Sequence, residues 1–277
     1  MSEGLRVREA TECLRRIVGT VYLVGAGPGA ADLITLRAAR LLERADIVFY
    51  DALVHPETLA LAERALKVPV GKRCGKHSTA QKFINKRLVD AATRHSVVVR
   101  LKGGDPMLFG RAQEEIAALE AAGIPYGVVP GVTAALAATA ELGTSITQRG
   151  VARSVAFVTP RAADGEPPSE WARSIAAADA GAIYMGVGQA AEIAAALIAA
   201  GKPPSTPIAI VESASLPEAR RVFATLAALP VFAARFSGPA VILLGPQYRA
   251  RAPSARRLSA PQDSDRSVRK AAGSGSG

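Results

Sequence analysis

The first part of the chain alternates short apolar runs with segments in which apolar residues recur every three or four positions. The short runs are rich in Val and end in Gly, Pro or Asp, which is typical of strands buried on both faces of a parallel sheet. The pattern predicts strands within 20–30, 46–51, 66–70, 96–101 and 125–130. It predicts helices within 31–45, 55–65, 78–95, 111–122 and 131–142. The expected fold class is therefore α/β, with both faces of the sheet covered by helices.

A second α/β unit is predicted after residue 153. Strands are expected within 154–159, 180–186, 207–213 and 239–245, and a helix within 188–201. The run 220–229 is ambiguous: it begins as a strand, and its second half fits either a helix or a continuation of that strand. The predicted division of the chain is an N-terminal extension (1–19), an N-terminal α/β domain (20–142), a linker (143–153), a C-terminal α/β domain (154–248) and a basic tail (249–277). The tail is rich in Arg, Pro and Ser, which predicts disorder, and its closing Gly/Ser run is typical of an appended linker.

Positive charge is concentrated in one block of the sequence. The formal net charge of the chain is +10. Residues 64–102 alone carry eleven Lys and Arg against one acid, Asp90, so this block also amounts to +10 and acids elsewhere offset the remainder. The block is either a solvated basic face or a site for a polyanion. A basic nucleic-acid-binding module is one form of the second hypothesis, although Phe83 is the block's only aromatic residue and no nucleic-acid motif occurs.

The composition disfavours several other classes. No run of 18 apolar residues is present, and the first 19 residues mix Arg with Glu, so we expect neither a membrane span nor a secretory signal. Cys13 and Cys74 form no CxxC pair, and the three His residues show no metal-ligand spacing. We therefore expect no disulfide framework, no metal and a reducing, cytoplasmic location.

Loops at the predicted carboxyl ends of strands carry the candidate chemistry, because α/β proteins bind ligands at that edge. The segment "GAGPGA" (25–30) resembles a dinucleotide fingerprint, and Asp51 lies near where a ribose-binding acid would be. A Rossmann-type NAD(P) oxidoreductase is therefore one hypothesis. Pro28 argues against it, because proline has no N–H to offer a pyrophosphate at a helix start.

Two further loops of small residues follow the same pattern. They are "KGGDP" (102–106), in which Asp105 lies between two glycines and a proline, and "VPGVTA" (129–134), in which Thr133 precedes a helix. Asp105 and Thr133 could each serve only as local caps. Three tight loops without a phosphate cradle instead favour a nucleoside-like ligand lying against backbone, with Asp105 beside its ammonium or hydroxyl groups.

Eight segments, in this order, give the chain a specific resemblance: "VYLVGAGPG", "YDALV", "GKRCGKH", "VVRLKGGDP", "FGR", "VPGVTA", "YMG" and "GPAVILLG". Together they resemble the uroporphyrinogen-III C-methyltransferases of the tetrapyrrole methylase superfamily. The resemblance implies a homodimer with two α/β domains of the tetrapyrrole methylase type and a ligand cleft between them. It implies S-adenosylmethionine as methyl donor and uroporphyrinogen III as substrate, methylated at C2 and C7 to give precorrin-2 through precorrin-1. Another precorrin methyltransferase is the alternative within the superfamily.

The resemblance also assigns site residues by position. It implies Asp51 as proton acceptor and Lys72 as proton donor. The implied cofactor contacts are Pro28, Gly103, Gly104, Asp105, Leu108, Thr133, Ala134, Met185 and Ala214. Because uroporphyrinogen III carries eight carboxylates, the candidate substrate ligands are Arg73, Lys76, His77, Lys102 and Arg149. The chain has Ala52 where many members of the family have Arg, and "TQR" (147–149) where many have "THR". We expect no metal, no nucleic-acid partner and no membrane partner, and a product that serves cobalamin or siroheme biosynthesis.

Overall fold

The computed structural model describes residues 18–70, 77–162 and 169–249, which form two five-stranded sheets. Every neighbouring pair of the first sheet is parallel, and the strand order is β3–β2–β4–β1–β5. Its strands are β1 (Thr20–Gly25), β2 (Ile47–Tyr50), β3 (Leu66–Pro69), β4 (Val97–Lys102) and β5 (Tyr126–Val129). The apolar runs therefore predicted both the strands and their parallel arrangement.

Helices cover both faces of this sheet. They are α1 (Leu36–Arg44), α2 (Pro56–Ala60), α3 (His77–Ala92) and α4 (Ala112–Ala121), and a fifth helix, α5 (Ala134–Leu142), follows β5. Leu88 of α3 and Ile116 of α4 pack with Val21 on one face, whereas Leu42 of α1 packs with Val99 on the other. All five helices were predicted, although α1 begins later and α2 ends earlier than the sequence pattern indicated.

The second sheet is mixed, in the order β6–β7–β10–β8–β9. Only β6 and β7 pair in parallel, and the other three pairs are antiparallel. The strands are β6 (Val155–Val158), β7 (Ala180–Tyr184), β8 (Pro207–Glu212), β9 (Arg220–Thr225) and β10 (Ala240–Leu244), with helices α6 (Trp171–Ala177), α7 (Ala190–Ala199) and α8 (Leu229–Ala233). The ambiguous run 220–229 is the strand β9 followed by a short 3-10 turn, and α6 was not predicted.

Helix α5 joins the two sheets. It follows β5 in the chain, but Ala135, Ala138 and Leu142 pack in one core with Ala182 and Leu243 of the second sheet. The short side chains on both partners allow the helix to approach the sheet closely. The start of α5 therefore lies where loops from both sheets meet. Within the described ranges, no helix combines the length and apolar character needed to cross a bilayer.

Candidate functional site

The loops that follow β1, β4 and β5 are held together by backbone contacts. The Gly27 N–H donates to the Gly104 carbonyl (3.2 Å), and the Gly104 N–H donates to the Gly27 carbonyl (2.7 Å). A Cβ atom on Gly131 would lie 2.3 Å from the Gly104 carbonyl oxygen, and one on Gly25 would lie 2.6 Å from the Gly131 nitrogen. Glycine is needed here because the three loops touch through their main chains, which explains why an apolar strand ends in "KGGDP".

Asp105 ties two of these loops to each other. Its Oδ1 accepts from the Met107 N–H (2.8 Å) within its own loop, and its Oδ2 accepts from the Gly131 N–H (2.9 Å) after β5. Hydrogen bonds from backbone N–H groups to a carboxylate are charge-assisted and stronger than neutral ones. The side chain stays partly exposed, so its remaining lone pairs can meet a ligand. Asp105 is thus both a loop connector and a candidate ligand contact.

The first glycine-rich loop does not open a helix. After Gly29 the chain makes a 3-10 turn at 31–33, and α1 begins only at Leu36, where the Thr35 hydroxyl accepts from the Ala38 N–H (3.2 Å). Dinucleotide-binding folds place a pyrophosphate at the start of the helix that directly follows the glycines. That arrangement is missing in this loop, in agreement with the argument from Pro28.

The loop after β8 contacts the loop after β1. The Ser215 hydroxyl accepts from the Ala30 N–H (3.0 Å), and the Ser215 N–H donates to Glu141 Oε1 of α5 (3.2 Å). A Cβ on Gly29 would lie 2.9 Å from the Leu216 side chain. The Ala214 side chain is packed in the core shared with α5, so this residue could reach a ligand only through its backbone. Nothing in the sequence pattern had indicated Ser215.

Residues with left-handed backbone cluster around the same edge. The described non-glycine residues with positive φ are Phe109 (53°), Arg111 (54°), Met185 (55°), Ser213 (51°) and Ser215 (76°). They lie in the loops that follow β4, β7 and β8. Such conformations are costly and concentrate at functional sites, where the surrounding structure holds them. Met185 is 45% exposed, so this predicted cofactor contact does not lie in the core.

A buried group of charges lies beneath this edge. Glu115 of α4 accepts from Arg100 Nε (3.0 Å), from Lys102 Nζ (2.9 and 3.0 Å) and from Gln81 Nε2 (3.2 Å). Arg100 Nη2 also donates to Asp51 Oδ1 (2.6 Å), and the Asp51 side chain is 31% exposed. The two cations and two carboxylates balance. Burial and the neighbouring Arg100 lower the pKa of Lys102, whereas Asp51 and Glu115 outweigh burial and raise the pKa of Arg100.

This geometry corrects the prediction that Lys102 binds substrate. The Lys102 side chain is 4% exposed, and both carboxylate oxygens of Glu115 hold its ammonium. Direct contact with a substrate carboxylate would require this buried ion pair to break, which costs several kcal/mol. Lys102 and Arg100 belong to the interior, although the sequence placed both in the basic block.

The structure describes two of the other predicted substrate ligands, Arg149 and the backbone of His77. Arg149 is exposed in the turn closed by two backbone hydrogen bonds between Gln148 and Ala152. His77 begins α3. Lys72, Arg73 and Lys76 lie outside the described residues, so their predicted roles stay predictions. In the described part of the chain, no group of three His, Cys, Asp or Glu residues could hold a metal ion.

A family model for the tetrapyrrole (corrin/porphyrin) methylases matches residues 20–230. The chain belongs to this family. The siroheme synthase of Psychrobacter sp. strain PRwf-1 is 49% identical over 211 residues, which are 76% of this chain and 43% of that protein. The chain spans about half the length of the siroheme synthases it matches.

Solved structures of the family have the same fold. The crystal structure of uroporphyrin-III C-methyl transferase from Thermus thermophilus complexed with S-adenyl homocysteine is 42% identical, with a TM-score of 0.74. The alignment covers 83% of this chain and 99% of that one. A cobalt precorrin-4 methyltransferase is 27% identical with a TM-score of 0.72, covering 82% of this chain and 94% of its own. The parallel five-stranded sheet and the mixed five-stranded sheet, each packed against helices, are therefore the tetrapyrrole methylase fold.

Proposed function

We propose that this chain is an S-adenosylmethionine-dependent uroporphyrinogen-III C-methyltransferase, which methylates C2 and C7 of its substrate to give precorrin-2. The observation that carries the proposal is its 42% identity over nearly the whole of the Thermus thermophilus methyltransferase. The identity to the cobalt precorrin-4 methyltransferase is 27%, which favours uroporphyrinogen III over a later corrin intermediate.

The described loops fit S-adenosylmethionine better than they fit a dinucleotide. Residues 25–30, 103–108 and 130–134 contain neither Lys nor Arg, so a pyrophosphate would find no cation there. A nucleoside that carries one ammonium group needs close backbone, one acid and soft apolar side chains. The glycine contacts, Asp105 and the exposed Met185 supply these features. The remaining assigned contacts, Pro28, Leu108, Thr133 and Ala134, are partly exposed at the same edge.

The chemistry demands little of the protein beyond position and charge. S-adenosylmethionine, when bound, supplies an electrophilic methyl group. A pyrrole carbon of the substrate is nucleophilic, so the main requirement is an in-line approach. The ring becomes cationic after attack and must lose a proton. Asp51, fixed by Arg100 and partly exposed, can stabilise that charge or accept the proton.

The basic block supplies the complement to an octa-anion. Lys72 is the proposed proton donor, and Arg73, Lys76, His77 and Arg149 are the proposed ligands of substrate carboxylates. Arg can hold a carboxylate in bidentate fashion, and a group of cations raises the local concentration of an anionic substrate. The homodimer and the cytoplasmic location expected from the resemblance and the cysteine content stay predictions.

Isothermal calorimetry of the purified chain with S-adenosylhomocysteine and with NADP tests the cofactor assignment. We expect S-adenosylhomocysteine to bind and NADP to give no heat at the same concentration. Binding of NADP alone would contradict the proposal. Competition between uroporphyrinogen III and a precorrin for methyl transfer separates the two activities within the family.

A further inference from the structure

Tyr184, the last residue of β7, connects the second sheet to the first turn of α5. Its hydroxyl oxygen accepts from the Ala135 N–H (3.2 Å) and lies 2.7 Å from Thr133 Oγ1. Thr133 is the N-cap residue of α5, yet its side chain makes no capping hydrogen bond to its own helix. A tyrosine from the other sheet therefore performs the capping that a threonine at this position normally performs itself.

The Tyr184 hydroxyl accepts one hydrogen bond and has one proton to donate. A backbone N–H can only donate, so the phenol oxygen accepts from Ala135, and the phenol keeps one proton to donate. When that proton goes to Thr133 Oγ1, the proton of the threonine hydroxyl is free for a ligand. Burial, reinforced by the Asp105 carboxylate, raises the pKa of Tyr184, so the phenol keeps its proton throughout the neutral range.

The tyrosine ring is held by aromatic neighbours from both sheets. The Phe109 ring, in the loop after β4, lies 5.2 Å away between centroids at an interplanar angle of 56°, and the Phe157 ring of β6 lies 6.4 Å away. Tilted contacts in this range are favourable. Next in the chain is Met185, a 45% exposed residue with left-handed backbone. One strand end thus fixes the Thr133 hydroxyl and presents Met185.

We infer that Tyr184 is a positioning residue for the cofactor site, which acts by orienting the Thr133 hydroxyl as a donor to the bound ligand. The inference rests on the proposed function. It assigns no chemical step to Tyr184, which would act only through Thr133.

Tyr184→Phe tests the inference because it keeps the ring contacts and removes only the hydroxyl. The matched control is Tyr126→Phe, which removes a hydroxyl that donates to Glu120 (2.7 Å) at the amino end of β5, the opposite end of the sheet from the loops. Calorimetry with S-adenosylhomocysteine should show about tenfold weaker binding for Tyr184→Phe, the range for one lost hydrogen bond to a positioned donor. Tyr126→Phe should stay within about twofold of wild type.

A double-mutant cycle with Thr133→Val separates positioning from general stabilisation. If Tyr184 acts through Thr133, Tyr184→Phe should weaken binding less than about twofold further once the threonine hydroxyl is gone. Additive losses would overturn the inference, as would normal affinity in folded Tyr184→Phe. Thermal melts of each variant establish that it is folded.

A further pair of variants keeps the inference testable if Tyr184→Phe does not fold. Thr133→Ser keeps the hydroxyl and should retain binding, whereas Thr133→Val should bind about tenfold more weakly, and equal affinities of the two would overturn the inference. Absence of S-adenosylhomocysteine binding by the wild-type protein would instead contradict the proposed function, and the inference would fall with it. Normal wild-type binding with an unaffected Tyr184→Phe variant overturns the inference alone.

Discussion

Replacing Glu115 by Gln should destabilise the protein strongly, because the carboxylate balances two buried cations. Arg100, Lys102 and Glu115 all have side chains less than 5% exposed, and Asp51 is the second anion of the group. The substitution keeps the size of the side chain but leaves the group with a formal charge of +1. Removing one partner of a buried ion pair costs about 3–5 kcal/mol. We expect a loss in that range.

The neighbouring Glu114 provides a matched control for this prediction. It lies on the same helix and pairs with Arg111 (2.6 Å), but both side chains are over 40% exposed. Exposed pairs contribute about 0–1 kcal/mol, so Glu114→Gln should change little. Urea unfolding of both variants, followed by circular dichroism, measures the difference as a shift in midpoint at constant slope. A loss below about 1 kcal/mol for Glu115→Gln would refute the argument from the buried group.

The same variant should be less impaired at alkaline pH. Burial and Arg100 lower the pKa of Lys102, whereas Glu115 raises it, so the substitution lowers the pKa further. Between its native pKa and its unfolded value of about 10.4, the unfolded state binds more protons, so stability rises with pH. The deficit of Glu115→Gln relative to wild type should therefore shrink from about pH 7 to about pH 10. A deficit that stays constant or grows would show that Lys102 does not shed its proton in the variant.

Three further predictions concern the site itself. Asp105→Ala should weaken S-adenosylhomocysteine binding at least about tenfold in a folded protein, since it removes one charge-assisted bond within its own loop and one to the loop after β5. Calorimetric affinity within about twofold of wild type would leave Asp105 only a local cap. Asp51→Ala should lower turnover by about 10²-fold with little change in cofactor affinity, and near-normal turnover would exclude the base or electrostatic role. Arg73→Ala should raise the KM for uroporphyrinogen III and flatten the dependence of that KM on salt, because the Debye length falls from about 10 Å at 0.1 M to about 3 Å at 1 M. Replacing the exposed Arg94 by Ala should do neither, and equal behaviour of the two variants would make the block a solvated face.

Arg87 would be a poor control for the last experiment. It belongs to the basic block, but its guanidinium lies 5.3 Å from the buried Phe49 ring and 5.5 Å from the Phe83 ring. Replacing it would remove cation–π and packing contacts as well as charge. Helical periodicity predicts the face of α3 on which Arg87 lies, but it does not predict that the guanidinium stacks on the Phe49 and Phe83 rings.

The elements of the first sheet could be predicted because strands buried on both faces must be continuously apolar. The pairing directions of the second sheet could not, since parallel and antiparallel strands buried in a mixed sheet have the same composition. Helix α6 escaped prediction for a related reason. It has no capping side chain, and Ile175 anchors it, with a Cδ1 atom 2.3 Å from where a Cβ on Gly181 would lie. That anchor is a tertiary contact, which local periodicity does not reveal.

Part of the candidate site could likewise be predicted from the sequence, and part of it could not. Its glycine-rich loops and Asp105 were evident from the sequence, because unusual backbone needs unusual residues. The contacts that connect these loops to the rest of the structure were not evident from the sequence. Ser215 and Tyr184 are ordinary residues whose partners lie far away in the chain, and Glu115 neutralises Lys102 only because α4 packs beside β4. A count of charges along the sequence therefore assigned to the surface two cations that lie in the interior.

The most direct test of the central claim is a single incubation of the purified chain with S-adenosylmethionine and uroporphyrinogen III under anaerobic conditions, followed by mass analysis of the tetrapyrrole. We expect the mass of a product with two added methyl groups, an intermediate with one at early times, and S-adenosylhomocysteine in matching amount. An unmodified tetrapyrrole, with a folded protein that binds S-adenosylhomocysteine, would contradict the assignment of uroporphyrinogen III as the substrate.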